Sequence, residues 1–279
     1  MPSILRTVAP PSAALWPLGN MRFIATLMEP AMNTTRRLLA LGLLSAAMGT
    51  SAQTWSWNKG ERITGNGDIA TEVREPGAFD AVTLSGGFNV LIRQGPSNKV
   101  EVKADRNLLP FIETRIIDGG RTLEIRPKRG ANLGSSHNAS FTLEMPALRA
   151  VSVAGSGTVK VEAMKTGGVD ASIAGSGDIR FDNLDAERLA MKVSGSGDIV
   201  AAGRCGNASV SIAGSGEVKA AELAAEDVMV RIAGSGEAHV HATKKLHVSI
   251  AGSGDVRYAG SPQITSSIAG SGTIRRIEK

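Results

Sequence analysis

Three sets of side chains in this sequence combine reactive types with regular spacing: an alternating histidine pair, a periodic row of acids, and glycine-rich turns. His239 and His241 are alternate residues, so on an extended chain both imidazoles leave one face, the spacing at which two ring nitrogens grip a metal. His239, however, falls in a column that elsewhere holds Lys160, Arg180, Lys219, Arg257 and Arg275, and an outward polar position accounts for it more simply. The acidic row reads Thr158, Asp178, Asp198, Glu217, Glu237, Asp255, Thr273. It invites comparison with calcium β-rolls, but there the Asp stands two residues after the last Gly of a nonapeptide, whereas here it follows Gly directly and the period is twice as long. Stacked acids about 4.8 Å apart repel, and the basic column two residues further on nearly cancels that repulsion. Cancellation fails at Val200 and at a neutral His239, leaving Asp198, Glu217 and Glu237 as the least compensated acids. Any cation on this face is expected there, although neither a metal nor a cofactor is expected to be required.

The remaining chemical signals are weaker. Gly65-Asn66-Gly67-Asp68-Ile69-Ala70 superficially matches nucleotide-binding glycines, which need a strand before them and a helix after them, and here strand follows instead. Cys205 is alone in the chain, so an internal disulfide is excluded and a small turn residue is the simplest reading. Trp55 and Trp57 alternate in a segment better read as a capping strand or tail than as a binding platform. Nucleophile-elbow, zinc-protease and paired-cysteine motifs are absent, so no catalytic residue is assigned.

The acids and histidines belong to a repeat. Gly-Ser-Gly occurs seven times, with its glycines at Gly155 and Gly157, Gly175 and Gly177, Gly195 and Gly197, Gly214 and Gly216, Gly234 and Gly236, Gly252 and Gly254, and Gly270 and Gly272. The spacing is 18 to 20 residues. Two residues before each unit stands a β-branched residue: Val153, Ile173, Val193, Ile212, Ile232, Ile250, Ile268. Four residues after the first Gly stand Val159, Ile179, Ile199, Val218, Ala238, Val256 and Ile274. Apolar residues or Gly at even positions and mostly small or polar ones at odd positions give period two, hence strand. Repeated coils of strand bury such columns most simply by stacking, which predicts an all-β fold: a right-handed parallel β-helix, or β-solenoid, preceded by a β-rich N-terminal portion. The glycines, on inward parity at corners, would meet backbone close by and take positive φ. In the last unit Ser266 replaces an apolar residue, and Arg275, Arg276, Glu278 and Lys279 add charge, which predicts a capping coil.

Composition agrees. Glycine is enriched, with 33 residues, and aromatics make up only 4%, which argues against an aromatic-lined sugar or cofactor cleft. Of the net charge of +5, residues 1–52 supply +3 through four Arg and one Glu, and the remaining +2 is too balanced for nucleic acid. Residues 32–52 have the basic start, the apolar run 38–48 and the small residues of a secretory signal peptide, with the cut between Ala52 and Gln53. That run is too short to span a membrane, so no span is expected in the mature chain. Residues 1–31 fit no part of a signal and read as a gene-model extension. The rest divides into an N-terminal strand or linker (53–76), a β-rich part (77–148) and seven coils (149–279).

Within the β-rich part, residues 79–94, 99–103 and 122–126 read as strands. Asp118-Gly119-Gly120 marks a hairpin turn, and 107–117 carries helical spacing at Leu108, Leu109, Ile112 and Ile116. Four segments carry a family resemblance: Phe79-Asp80-Ala81-Val82 with Gly86-Gly87-Phe88-Asn89-Val90; Asp105-Arg106-Asn107-Leu108-Leu109; Met145-Pro146-Ala147-Leu148; and Tyr258-Ala259-Gly260-Ser261-Pro262 closing the Gly-Ser-Gly series. Together they resemble the auto-transporter adhesin head GIN-domain family over residues 63–279. The resemblance implies an exported β-helix mostly without assigned chemistry. No translocating barrel follows Lys279, so an autotransporter in the strict sense is not expected.

The sequence therefore reads as an exported, periplasmic or secreted, non-enzymatic surface for interaction or envelope structure, with an envelope or extracellular protein or glycan as partner. The alternatives are a polysaccharide-active β-helix enzyme and a small-ligand or lipid-binding periplasmic protein. Mass analysis of the exported protein is expected to place its N-terminus at Gln53; a mature chain retaining residues 1–28 would overturn the leader.

Overall fold

Alternation of inward and outward residues makes the strands, and stacking of equivalent strands makes the fold. The computed structural model describes residues 62–134 and 139–278. The leader, the Ala52–Gln53 cut, and Trp55 and Trp57 lie outside the described residues. The N-terminal part contains β1 (Arg62–Ile63), β2 (Ile69–Arg74), β3 (Ala81–Ser85), β4 (Asn89–Gln94) and β5 (Lys99–Asp105), then a 3-10 turn (Leu109–Phe111), β6 (Ile112–Ile117), β7 (Thr122–Pro127), β8 (Asn132–Leu133) and β9 (Ser140–Met145). The repeats form β10 (Ala150–Gly155), β11 (Thr158–Gly175), β12 (Asp178–Gly195), β13 (Asp198–Gly214) and β14 (Glu217–Gly234). They continue as β15 (Glu237–Gly252), β16 (Asp255–Ala259), β17 (Gln263–Gly270) and β18 (Thr273–Arg276).

Strands β10 to β18 are paired in parallel, in a β-solenoid of about six turns. Val153 pairs with Ile173, Ile173 with Val193, Val193 with Ile212, Ile212 with Ile232 and Ile232 with Ile250. These side chains and those of Val159, Ile179, Ile199 and Val218 are buried, and they fill the interior with stacked columns. The coils differ in length, and the ladder absorbs the difference away from the corners. Register shifts fall between Phe181 and Leu184, Val200 and Ala202, Ala220 and Ala224, and Ala225 and Asp227, so the Gly-Ser-Gly corners stay aligned.

The two corner glycines answer different demands. The first has φ between +116° and +132° in every copy, a region that disfavours side chains. Its carbonyl accepts the amide of the serine one coil on, as in Ser176 N–H to Gly155 O at 2.9 Å and Ser215 N–H to Gly195 O at 3.0 Å. The second glycine has no positive φ but no room: a Cβ on Gly216 would lie 2.5 Å from both the Gly197 carbonyl oxygen and Val193 Cγ1.

The stack begins earlier than the first Gly-Ser-Gly. Strand β3 pairs in parallel with β10 (Val82 with Val151, Leu84 with Val153), and β4 with β11 (Val90 with Val159, Ile92 with Val161). Gly86, at φ +106°, makes the corner between β3 and β4, and its amide is bound by the Ala154 carbonyl at 2.9 Å. One further layer comes from separate segments, with β7 on β3 and β9 on β4. Antiparallel pairing then closes this end: β6 lies along β7, β5 along β9, and β2 along β5. The core here is aromatic, and Phe88 and Phe141 meet edge to face with centroids 5.5 Å apart.

Two expectations are corrected. Residues 107–117 hold one 3-10 turn and a strand instead of a helix, because Pro110 removes an amide donor early in that segment and Ile112–Ile117 pairs with β7. The Asp118 turn stands as read, with Asp118 at φ +52°. The last coil is only partly a cap: Arg275 and Arg276 are exposed as expected, but β17 is exposed throughout, with Ile264 and Ile268 each 43% accessible.

Gly214→Val or Gly216→Val is expected to destabilise the protein by more than about 2 kcal/mol. Ser215→Ala, on an exposed side chain, should be milder. Chemical denaturation measures all three; wild-type stability in both glycine variants would refute the corner model.

Candidate functional site

The acidic and basic columns lie on one outward face, carried by the residues just after each corner. Strand alternation points Glu217, Lys219, Glu237 and His239 away from the core, while Val218, Ala220, Ala238 and Val240 between them are buried. Ladder pairing sets Asp198 beside Glu217 and Glu217 beside Glu237.

The acids expected to be least compensated are tied down by bases from their own and adjacent coils. Lys219 Nζ lies 2.8 Å from Glu217 Oε2 and 3.5 Å from Asp198 Oδ2. Arg257, one coil beyond, places Nη1 2.6 Å from Glu237 Oε1. The Glu217 and Asp198 carboxylates hold the Lys219 ammonium above its ordinary pKa, chiefly through the hydrogen bond to Glu217. Further down, Asp182 bridges Lys160 at 3.0 Å and Arg180 at 2.7 Å. Partial burial pushes the Asp182 carboxyl up, but the hydrogen bonds and charges of Arg180 and Lys160 together outweigh it and hold the group below the usual carboxylate range. At the far end Asp255 Oδ1 accepts from Thr273 through both its amide, at 3.1 Å, and its hydroxyl, at 2.6 Å.

Among the described residues one cluster has metal-ligand spacing: single ligand atoms of Glu217, Glu237 and His239 lie within 4.8 Å of one another. Asp198 and His241 are not part of it. His239 Nε2 is 2.8 Å from Glu237 Oε1, 3.9 Å from Glu217 Oε1 and 3.1 Å from Arg257 Nη1. The contact with glutamate needs a proton on Nε2, and the contact with arginine, which can only donate, needs a bare nitrogen. The Arg257 guanidinium lies against both Glu237 and His239, Lys219 pairs with Glu217, and the cluster is neutralised from within. The histidine pair of the sequence does not assemble as a chelate. Arg257 stands in the basic column of the sequence, and the ladder register, which sets it beside His239, shows that it meets Glu237 and His239 across coils.

The other candidates have structural roles. The Gly67 amide donates to Asp105 Oδ1 at 2.6 Å, and a Cβ on Gly65 would lie 2.3 Å from Asp105 Oδ2, so these glycines fit the loop around a buried carboxylate, with β2 following. Cys205 is buried, and burial pushes its thiol up to about 11, far from the thiolate that reactivity requires. Among the described residues no helix is long and apolar enough to cross a membrane.

The profile of one family, described as “Putative auto-transporter adhesin, head GIN domain”, matches residues 78–262. The chain belongs to this family. A search of curated proteins found no match. Among solved structures, a “putative adhesin” from Bacteroides fragilis shares the fold at 22% identity and a TM-score of 0.69, over 77% of this chain and 100% of its own. A “putative lipid binding protein” from Parabacteroides distasonis is 29% identical with a TM-score of 0.64, over 78% of this chain and 100% of its own. A “putative adhesin” from Parabacteroides merdae is 25% identical with a TM-score of 0.63, over 77% of this chain and 99% of its own. The head GIN-domain protein thus combines an adhesin-type family with a face whose charges are largely spent on one another.

Removing divalent cations with a chelator is expected to leave the melting temperature unchanged, and millimolar calcium to raise it little. A large calcium-dependent rise abolished by Glu217→Gln would instead make the cluster a metal site.

Proposed function

We propose that the protein is an exported, non-enzymatic interaction surface, adhesin-like in kind, whose partner is an envelope or extracellular protein or glycan. The observation that carries this reading is repetition in register. Each coil places equivalent positions about 4.8 Å above those of the last, so a contact made on one coil has a counterpart on the next. Weak contacts multiplied in this way give strong attachment without any single tight site. A catalytic centre calls for one place unlike its neighbours, and the carboxylates that come nearest to it, Glu217 and Glu237, are paired with Lys219 and Arg257. Membership of an adhesin-type family supports the same reading and fits an exported protein.

The lipid-binding neighbour, at 29% identity, favours a second reading, carriage of a small amphiphile. That function wants an enclosed apolar pocket, whereas the coil interior is filled by stacked aliphatic columns.

The test is attachment against turnover. Beads coated with the protein at graded density are expected to retain envelope fragments with a dependence on density steeper than linear, while soluble polysaccharides incubated with the protein show no new reducing ends. Turnover abolished by Glu217→Gln would make the protein an enzyme, and stoichiometric uptake of a fatty acid by soluble protein, without retention on beads, would make it a carrier.

A further inference from the structure

The last coil leaves a strand edge open. Among the described residues β17 pairs with β15 alone and β18 with β16 alone. Along each strand the backbone groups point by turns to the coil before and the coil after. Asp170, five residues before its corner, donates its amide back to the Arg149 carbonyl at 2.9 Å, and Thr265 holds the same ladder position in the last coil. Thr265 and Ser267 therefore face β15, whereas Ile264, Ser266 and Ile268 turn their N–H and C=O groups to the open side. Their side chains extend buried columns: Ile264 and Ile268 stand over Leu246 and Ile250, which are 1% and 2% accessible, yet are themselves 43% accessible. Exposed edges are ordinarily blunted by charge, proline or a bulge. Strand β17 contains no charged residue and no proline, and its register with β15 is unbroken.

The residues of this edge read alike in both directions. About Ser266, Ile264 mirrors Ile268 and Thr265 mirrors Ser267. A second copy laid antiparallel across a twofold axis at Ser266 sets Ile264 on Ile268 of that copy, Ser266 on Ser266, and Thr265 on Ser267. Aliphatic meets aliphatic and hydroxyl meets hydroxyl, the cross-strand pairs that stabilise a sheet, with no like charges opposed. Antiparallel strands bond through opposed residues whose N–H and C=O groups point at each other. The opposed residues in this register are 264, 266 and 268, the ones with free groups, so about six backbone hydrogen bonds form where the side chains also match. The column that ends in Ser266 is apolar and buried in every earlier coil, through Val230 and Val248. A hydroxyl there is out of place over a core, and fits an axis at which it meets itself.

We propose that this edge is the interface of a tail-to-tail homodimer, in which two β17 strands pair antiparallel about Ser266 and join two solenoids into one stack. A twofold contact needs a patch complementary to itself, and it closes at two copies. The opposite end of the molecule fits the edge less well. Its outer strands bear charge, Glu72 and Arg74 beside the exposed Ile69 and Val73 on β2, and Glu113 and Arg115 on β6, and a head-to-tail contact would repeat without closing. An acyl chain would cover the isoleucines and leave the adjacent amides and carbonyls unbonded. An extended peptide of another protein would satisfy the backbone, but it gives no reason for the mirror order about Ser266. The dimer does not depend on what the outer faces bind, and it doubles the number of coils they offer.

The test measures molar mass by light scattering behind sizing chromatography over a range of concentrations. The wild type should reach twice the chain mass and stop there. Ser266→Lys, on an exposed side chain, sets two ammonium groups against each other on the axis and should return the mass to one chain with an unchanged circular dichroism spectrum. Crosslinking carries the test if that variant fails to fold. Opposed residues of a hydrogen-bonded antiparallel pair lie about 5.5 Å apart at Cα, inside the range of a disulfide, so Ser266→Cys should form a covalent dimer under mild oxidation. Ser235→Cys, exposed at an inner corner, should not, and the native Cys205 is buried. A wild type that stays monomeric at every soluble concentration overturns the dimer. So does a monomer that purifies with a foreign polypeptide lost in Ser266→Lys, which would make another protein the occupant. A mass that climbs without limit overturns the twofold closure in favour of a fibre. A dimer that survives Ser266→Lys, or that crosslinks as readily through Ser235→Cys, overturns this edge as the interface.

Discussion

The contact on which this fold depends is the meeting of glycine on glycine at each corner. The carbonyl of one corner glycine accepts the amide of the serine one coil further on, and any Cβ on the glycine stacked above it would strike that same oxygen. Because the corners cannot slip, the residues two before and four after them are fixed in register, and the aliphatic columns follow. A one-residue slip would turn every Ile and Val of a coil outward. The variable coil lengths are tolerated because their irregularities lie away from the corners.

Fixed register also governs the surface. It brings Glu217 beside Glu237, and Lys219 and Arg257 then satisfy those carboxylates, so the acids that the sequence leaves least compensated are largely neutralised. The same register lines Arg188, Asn207, Asp227, Lys245 and Gln263 in a row of mixed polar type, in which Arg188 pairs sideways with Asp170. Both faces come from one repeat, and they differ in whether the side chains reach one another.

Most of the solenoid was legible because its signal is periodic: the Gly-Ser-Gly spacing and the β-branched column at Val153 to Ile268 allow little but stacked strand. The beginning of the stack was not, because β3 and β4 turn at Gly86-Gly87-Phe88, which lacks the second corner glycine, and because β7 and β9 reach their layer from separate segments. The helical spacing of Leu108, Leu109, Ile112 and Ile116 misled because long-range pairing with β7 overrode a local pattern already weakened by Pro110. At the candidate site the broken basic column pointed to Asp198, Glu217 and Glu237 as the least compensated acids, but side-chain reach brings Lys219 to the first two and Arg257 to the third, which column spacing alone does not give.

The two ends of the described solenoid are unlike: antiparallel strands close the first, and β17 leaves Ile264 and Ile268 accessible at the other. A chain made from its N-terminus presents the closed end first. That end, with its aromatic core and mixed strand directions, is built from strands that all precede the first coil in sequence, and each later coil adds to the edge of the one before. Assembly is then directional, like a zip with a single starting stop, and a nascent chain need never hold more than about one coil of unpaired strand in waiting.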